Sequence, residues 1–261
     1  EYGRHCVHGK DDEGDDCPGG GNKDDCAMAT YSFTKLNVGL YIQDTPIVYS
    51  SPFGPQVSVT LNYNQRSSKI EDLPTTANFG PRWSHGFTEY LDLEGTLEAD
   101  GGNSDVHLVT GNGFYKRYYR DGSILYTTKY ADRGKLVWTG VNYTITYSDG
   151  STKVYGQGNS ASPTRYYLTE IIDTFGNNLQ IQYDSSLRIA NLIDSLGQAT
   201  TFSYSPEEGA NVPTDTLKIR KITDPFGREA TFKYTVQGQL FSITDPMGIV
   251  SSFQYVANDF I

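Results

Sequence analysis

One spacing recurs four times in the second half of the chain. Asp173, Gly176 and Tyr183 are followed by Asp194, Gly197 and Tyr204, then Asp224, Gly227 and Tyr234, then Asp245, Gly248 and Tyr255. Asp to Gly is three residues and Gly to Tyr seven in every copy, and the aspartates stand 21, 30 and 21 residues apart. The wider gap holds PEEGANVPTD, which reads as a longer loop inside an otherwise regular array. Self-similarity at a period of roughly 20–50 residues marks units that bury their apolar faces against one another rather than alone. The chain must therefore fold as a stack of like units over this stretch.

Each unit reads as a β-hairpin. Asp at the first position of a turn, Pro at the second (Asp224-Pro225, Asp245-Pro246) and Gly at the fourth are the preferred occupants of a type I turn. Ala230, Phe232 and Tyr234 then alternate with Thr231 and Lys233, as a strand with one apolar face requires. VQGQ turns the chain back and LFSI returns it to the next aspartate; Leu240 and Ile243, three apart, break the alternation and predict a bulge. A lone hairpin is marginal in water, so successive hairpins should pair edge to edge.

The first half is strand-like without a repeat. Val57, Val59, Leu61 and Tyr63 fall on one face of VSVTLNYNQ and Ser58, Thr60, Asn62 and Asn64 on the other. Asp-Gly at 121–122 and 149–150 sits between alternating runs and predicts two-residue hairpin turns. EADGGNSD, 98 to 105, reads as a loop, and no 12-residue stretch has helical periodicity. Twenty Tyr, twelve Phe, 27 Gly and 11 Pro favour strands and turns. We expect an all-β, antiparallel protein in three parts: an irregular acidic head, 1–29; an opening β-domain, 30–167; and the hairpin repeats, 168–261. No apolar run reaches the roughly 18 residues that span a bilayer. A chain opening at Glu1 reads as a processed or excised piece, with the remainder of its own chain as its first partner.

The head concentrates charge and sulfur. Residues 1–26 carry eight acids against Arg4, Lys10 and Lys23, so half of the net charge of −10 lies there. That balance repels phosphate backbones and excludes nucleic acid as an expected partner. Cys6, Cys17 and Cys26, with His5 and His8 nearby, suit one structural disulfide with a spare thiol in an exported protein, a zinc set, or free thiols; all three readings stay open. DDEGDD could offer carboxylates to calcium but lacks the spacing of an EF-hand loop, so a solvated acidic loop is expected. His85, beside Ser84, and His107 are expected to be packed sheet histidines.

The pattern Asp-x-x-Gly-(x6)-Tyr-(x3)-Gly-x-Leu, clearest at 224 to 240, resembles the YD repeat of bacterial RHS proteins and of teneurins. LNVGLYIQDTPIVYSSPFGPQVSVTLNYNQR and NFGPRWSHGF are similar to the segment that opens the array in bacterial RHS-type proteins. The resemblance covers about 30 to 261. It implies a β-sheet strip that spirals into a hollow shell, which in that family often encloses a toxic C-terminal domain; this chain would be the start of such a strip.

The resemblance also raises a catalytic question, because some RHS shells end in a self-cleaving aspartyl site built from Asp-Pro-x-Gly-Leu. Here Arg228 and Ile249 replace that Leu, and the other copies read DTFG and DSLG. Asp224 and Asp245 are therefore expected to be turn residues, and no coherent enzymatic constellation emerges. The expected function is a structural segment of an extracellular, secreted RHS-like shell that self-associates through strand edges, as a homo-oligomer or filament. The alternative is a module that binds glycans or a partner cell through a tyrosine-rich sheet face.

Overall fold

The computed structural model describes residues 29–34, 39–65, 79–93, 105–111, 115–121, 125–126, 133–158, 165–205 and 216–256. The head with Cys6, Cys17, Cys26 and His8 lies outside them, as does most of the 98–105 loop. Every helix or strand among the described residues is a strand, and all pairings are antiparallel, as the sequence predicts.

Two sheets form. The smaller has four strands in the order β1 (Thr30–Thr34), β2 (Gly39–Tyr49), β3 (Val57–Asn64) and β4 (Trp83–His85). The larger has 16 strands. A side branch holds β5 (Tyr90–Leu93), β6 (Val106–Val109) and β7 (Tyr115–Tyr118). The main path starts with β8 (Arg120–Asp121), β9 (Leu125–Tyr126), β10 (Lys135–Trp138), β11 (Tyr143–Thr146) and β12 (Thr152–Gly158). It continues with β13 (Arg165–Ile172), β14 (Asn178–Tyr183), β15 (Ile189–Ile193) and β16 (Ala199–Ser203). It ends with β17 (Lys221–Thr223), β18 (Glu229–Tyr234), β19 (Leu240–Thr244) and β20 (Val250–Ser252). Each main-path strand pairs with its neighbours in sequence, the arrangement that short hairpin turns impose. The sheet is continuous through β13, the strand that spans position 167/168.

The sheet forks at β13. One edge of this strand pairs along β12; on the other, Glu170–Ile172 pairs with β14 while Arg165–Tyr167 pairs with β5. Register shifts on β12 at Val154/Tyr155 and Tyr155/Gln157 provide the bend that a fork requires.

The turn at 149–150 differs from the two-residue turn expected. Tyr147 N–H donates to Ser151 O (2.9 Å) and Gly150 N–H to Tyr147 O (3.0 Å), so three residues, 148 to 150, form the loop. Gly150 has φ +91° whereas Asp149 does not enter the left-handed region. A two-residue type I′ turn needs positive φ at both central residues, and an aspartate that avoids it shifts the hairpin to a type I turn closed by glycine. At 121–122, Asp121 pairs with Leu125, so that hairpin too has a three-residue connection.

The core lies between the two sheets. Val57, Val59, Leu61 and Tyr63 are fully buried, as their alternation predicts, together with Trp83 and Ile47. They join Leu179, Ile181, Leu192, Phe202, Ile222, Phe232, Leu240 and Ile243 of the strip in one continuous apolar cluster. Phe79 meets Phe232 at 4.8 Å and Trp83 meets Phe253 at 4.9 Å between ring centroids. Each such side chain contributes about 1.5–3 kcal/mol on burial, so the contact between sheets is a main source of stability.

Candidate functional site

The repeat turns share one geometry. At Asp224 the backbone N–H donates to Arg228 O (3.0 Å) and Gly227 N–H to Asp224 O (3.0 Å). The Asp224 Oδ1 accepts the N–H groups of Phe226 and Arg228, both at 2.9 Å. Asp173, Asp194 and Asp245 repeat all four bonds. Gly176, Gly197, Gly227 and Gly248 have φ between +78° and +86°, the left-handed exit that lets the chain enter the next strand. The side-chain bonds hold Oδ1 in place as an acceptor for two main-chain donors that would otherwise be lost to the ladder.

The repeat tyrosine ends the strand after the turn (Tyr183, Tyr234) or follows it (Tyr204, Tyr255), and all four tyrosines do the same thing. Tyr183 donates its hydroxyl to Leu168 O (2.7 Å), Tyr204 to Ile189 O (2.7 Å), Tyr234 to Ile219 O (2.6 Å) and Tyr255 to Leu240 O (2.7 Å). The acceptor lies 15 residues back in every case. Burial pushes Tyr183 and Tyr204 well above the ordinary tyrosine range, so these hydroxyls stay protonated donors. The fixed Gly–Tyr spacing is thereby explained: it sets the reach of a cross-strand lock. These four hydroxyl protons are committed to the main chain rather than turned outward.

Of the opposite hairpin ends the sequence exposes VQGQ but not the one at Asp184, and both share the geometry of the repeat turns. Asp184 forms the same turn, with Oδ1 accepting from Ser186 and Arg188 N–H (2.9 and 3.0 Å) and Leu187 at φ +59° where other turns have glycine. Thr235 does so with its hydroxyl, which accepts Gln239 N–H at 3.2 Å, and with Gly238 at φ +80°. The signal present was Asp184, eleven residues after Asp173, with Gly238 at the matching place four residues after Tyr234. Two bulges accompany these turns: Tyr183 pairs with Ile189 and Gln182 with Asn191, while Tyr234 pairs with Leu240 and Lys233 with Ser242. Phe241 is thus the extra residue behind the broken alternation of Leu240 and Ile243.

The second carboxylate oxygen divides the turns into two kinds. Asp224 Oδ2 receives Arg228 Nε at 2.6 Å, Asp184 Oδ2 receives Arg188 Nε at 2.7 Å, and Asp173 Oδ2 receives Asn177 Nδ2 at 2.9 Å. Asp194 and Asp245 have Gln198 and Ile249 at that place, and their Oδ2 atoms are buried without a hydrogen-bond partner. Asp224 therefore spends both oxygens on its own turn while 3% exposed, an arrangement that holds a loop and leaves no lone pair facing solvent. Asn177 holds Asp173 below the usual carboxylate range; at Asp184 burial opposes, and the bonds from Arg188 and Ser186 outweigh it.

A strap from the smaller sheet crosses these turns in reverse order. Asp44, on β2, is bonded by Ser251 and feels the Asp245 carboxylate. Val48 O accepts Arg228 Nη2 (3.0 Å) and Tyr49 meets Phe226 edge-on at 5.6 Å. Thr200 Oγ1 donates to Tyr49 Oη (3.1 Å), and Ser195 Oγ donates to Phe53 O. A Cβ on Gly54 would stand 2.9 Å from Ser195 Oγ and 3.2 Å from Asn177 Cβ, so glycine is needed where the strap reaches the first turn. Residues 44 to 54 thus touch the turns at Asp245, Asp224, Asp194 and Asp173 in succession. Nothing in local sequence pattern signals such contacts, which span 120 residues or more by the bonds involved (142, 151 and 180 residues for Phe53, Tyr49 and Val48).

Two buried titratable groups face the strip from one rung of this sheet. Leu61 pairs with Asp44 on one side and with His85 on the other. Burial lifts Asp44 to about 6, opposed by the Ser251 and Thr45 bonds and reinforced by Asp245. His85 is fully buried among the rings of Phe79, Phe87 and Phe202, and burial lowers it to about 3. It is a packed sheet histidine, and Ser84 Oγ bonds Asn62 O rather than His85. His107 lies on β6, partly buried.

A separate polar cluster braces the fork. Glu89, 4% exposed, accepts Lys153 Nζ at 3.1 and 2.9 Å and the Tyr155 hydroxyl, while its carbonyl accepts Leu168 N–H at 3.1 Å. Burial, with Glu89 adding to it, raises Tyr155 well above the tyrosine range, so it donates and Glu89 accepts. Buried charges survive only when paired and bonded, and this one is. Among the described residues no group of three or more His, Cys, Asp or Glu is placed to hold a metal ion, and no helix is long and apolar enough to cross a membrane. No family model matches the chain, and no curated protein matches it.

Proposed function

We propose that the chain is a scaffold: a structural segment of an extracellular RHS/YD-like shell, extended by pairing further strands to the edge of the strip. The observation that carries this reading is the sameness of the repeat units. Each commits its turn aspartate and its tyrosine hydroxyl to its own main chain, so the repeated residues build framework. The main path of 13 strands exceeds the roughly ten at which open twisted sheets begin to curl, which favours a curved wall over a flat plate. Among the described residues β20 has β19 as its one neighbour, and an unpaired strand presents donors and acceptors to the next. The glycan alternative draws nothing from the four repeat tyrosines, whose hydroxyl protons are already used.

Light scattering of the purified chain over a range of concentrations tests this. Association that rises with concentration and is lost in Ser252→Pro is expected, because proline removes an edge donor. A chain that stays monomeric at high concentration while binding immobilised glycans would replace the scaffold reading with the binding module.

A further inference from the structure

Of the polar groups buried where the four-stranded sheet meets the strip, two can change charge and share a rung. Asp44 is 4% exposed and His85 is fully buried, and each lies directly opposite Leu61 in the register of β3. Residues directly opposite across antiparallel strands point to the same face, here the face packed on the strip. His85 is walled by Phe79 at 5.4 Å, Phe87 at 6.2 Å and Phe202 at 6.3 Å, and neither ring nitrogen has a hydrogen-bond partner. An imidazolium there would be an unpaired buried charge, so the docked sheet requires the neutral ring. Asp44 faces Ser251 and Asp245 of the strip, and Asp245 already presents a buried Oδ2 without a partner. A second carboxylate beside it would leave two like charges in a dry seam, so docking favours the protonated Asp44. Further along the strap Asp194 and Asp224 act on Tyr49, not on this rung.

We propose that Asp44 and His85 form a proton-compensated pair that keeps the four-stranded sheet docked on the strip through mildly acid conditions. When the sheet lifts off, Asp44 loses its proton to water and His85 gains one, so opening exchanges no net proton. The two contributions run in opposite directions. Asp44, raised from 3.8 to about 6, stabilises the docked state fully below about 4 and loses that effect as pH rises through about 6. His85, lowered from 6.5 to about 3, contributes fully above about 6.5 and loses its effect as pH falls toward about 3. Between about pH 4 and 6 the two slopes cancel. A seam built on either group alone would open or tighten about tenfold per pH unit in that range.

Urea unfolding of the whole chain, followed by tryptophan fluorescence between pH 4 and 6.5, tests the pair through ratios to wild type, which cancel every other titrating group. Trp83 is a built-in reporter, fully buried and bonded through Nε1 to Tyr255 Oη at 2.8 Å. Relative to wild type, Asp44→Asn should raise the unfolding constant about tenfold for each unit of acidification, and His85→Phe should raise it about tenfold for each unit towards pH 6. The double variant should track wild type. Slopes that stay parallel to wild type in both single variants would overturn the proposal. Should a variant fail to fold, NMR of wild type carrying 13C-labelled aspartate and histidine decides at pH 5. A protonated Asp44 beside a neutral His85 upholds the pair; an ionised Asp44 or a charged His85 overturns it.

Discussion

The repeat strip and the four-stranded sheet bury similar side chains but are held in different ways. In the strip every unit secures its own main chain: the turn aspartate caps main-chain donors two and four residues on, and the tyrosine locks a carbonyl 15 residues back. In the smaller sheet the decisive contacts reach 142 to 180 residues along the chain, and polar groups such as the His85 nitrogens are buried without partners. The strip is therefore a modular element that could be lengthened without redesign. The smaller sheet is fitted to one place, where its strap matches four consecutive turns.

Cutting the seam should produce the largest effect. Trp83 is fully buried, packs on Phe253 at 4.9 Å and bonds Tyr255 Oη. Trp83→Ala should cost about 3–5 kcal/mol in urea unfolding. Because one apolar cluster spans both sheets, the loss should appear in a single transition. Two separated transitions, with the strip surviving unchanged, would show instead that the regions fold independently.

Glycine sharpens the contrast. Gly227, at φ +78°, has open space around an added Cβ, so Gly227→Ala should cost only the backbone penalty of about 1–2 kcal/mol. Gly80, at φ +101°, would place a Cβ 2.7 Å from Gly238 O, a backbone atom of the strip. Gly80→Ala should therefore cost clearly more than Gly227→Ala in matched urea titrations. Equal costs would mean that the seam yields as easily as a turn. Within the strip, Tyr234→Phe removes the bond to Ile219 O and should cost about 1 kcal/mol, with a similar loss for the equivalent change at Tyr183.

What could be read from sequence follows the same division. The Asp–Gly–Tyr spacing exposed the hairpins because each obeys local physics repeated four times, and the alternation of Val57, Val59, Leu61 and Tyr63 marked a buried face correctly. The turn at Asp184 was overlooked because Leu187 stands where glycine was sought, while the reversal at VQGQ was read but not its side-chain cap, because Thr235 stands where aspartate was sought. The three-residue loop at 148–150 was mistaken for a two-residue turn, since Asp-Gly suits both and only the φ of Asp149 separates them. The strap and the Asp44–Leu61–His85 rung had no local signature, because register across strands and docking between sheets are settled by the whole fold.

The smallest expected effect is a gain, and it tests the logic of the repeat itself. Asp224 and Asp184 each have an arginine four residues on, whose Nε closes on Oδ2. Asp245 has Ile249 there, and its Oδ2 is buried without a partner. Ile249 is 37% exposed and donates its backbone N–H to Asp245 Oδ1 at 2.8 Å, as Arg228 does to Asp224 at 2.9 Å. The position therefore already has the geometry from which an arginine reaches back. Ile249→Arg should supply the missing donor at the loss of a partly exposed apolar side chain. The gain should be small, about 0.5 kcal/mol, because the guanidinium would remain near solvent and the Arg228 side chain it copies is itself 46% exposed. Part of it should vanish in high salt, as for any pair at a surface. Urea midpoints for wild type and Ile249→Arg at low and high salt measure both effects. A destabilised variant would mean that Asp245 Oδ2 is satisfied within the seam, and the same substitution would then also disturb the docking of Asp44.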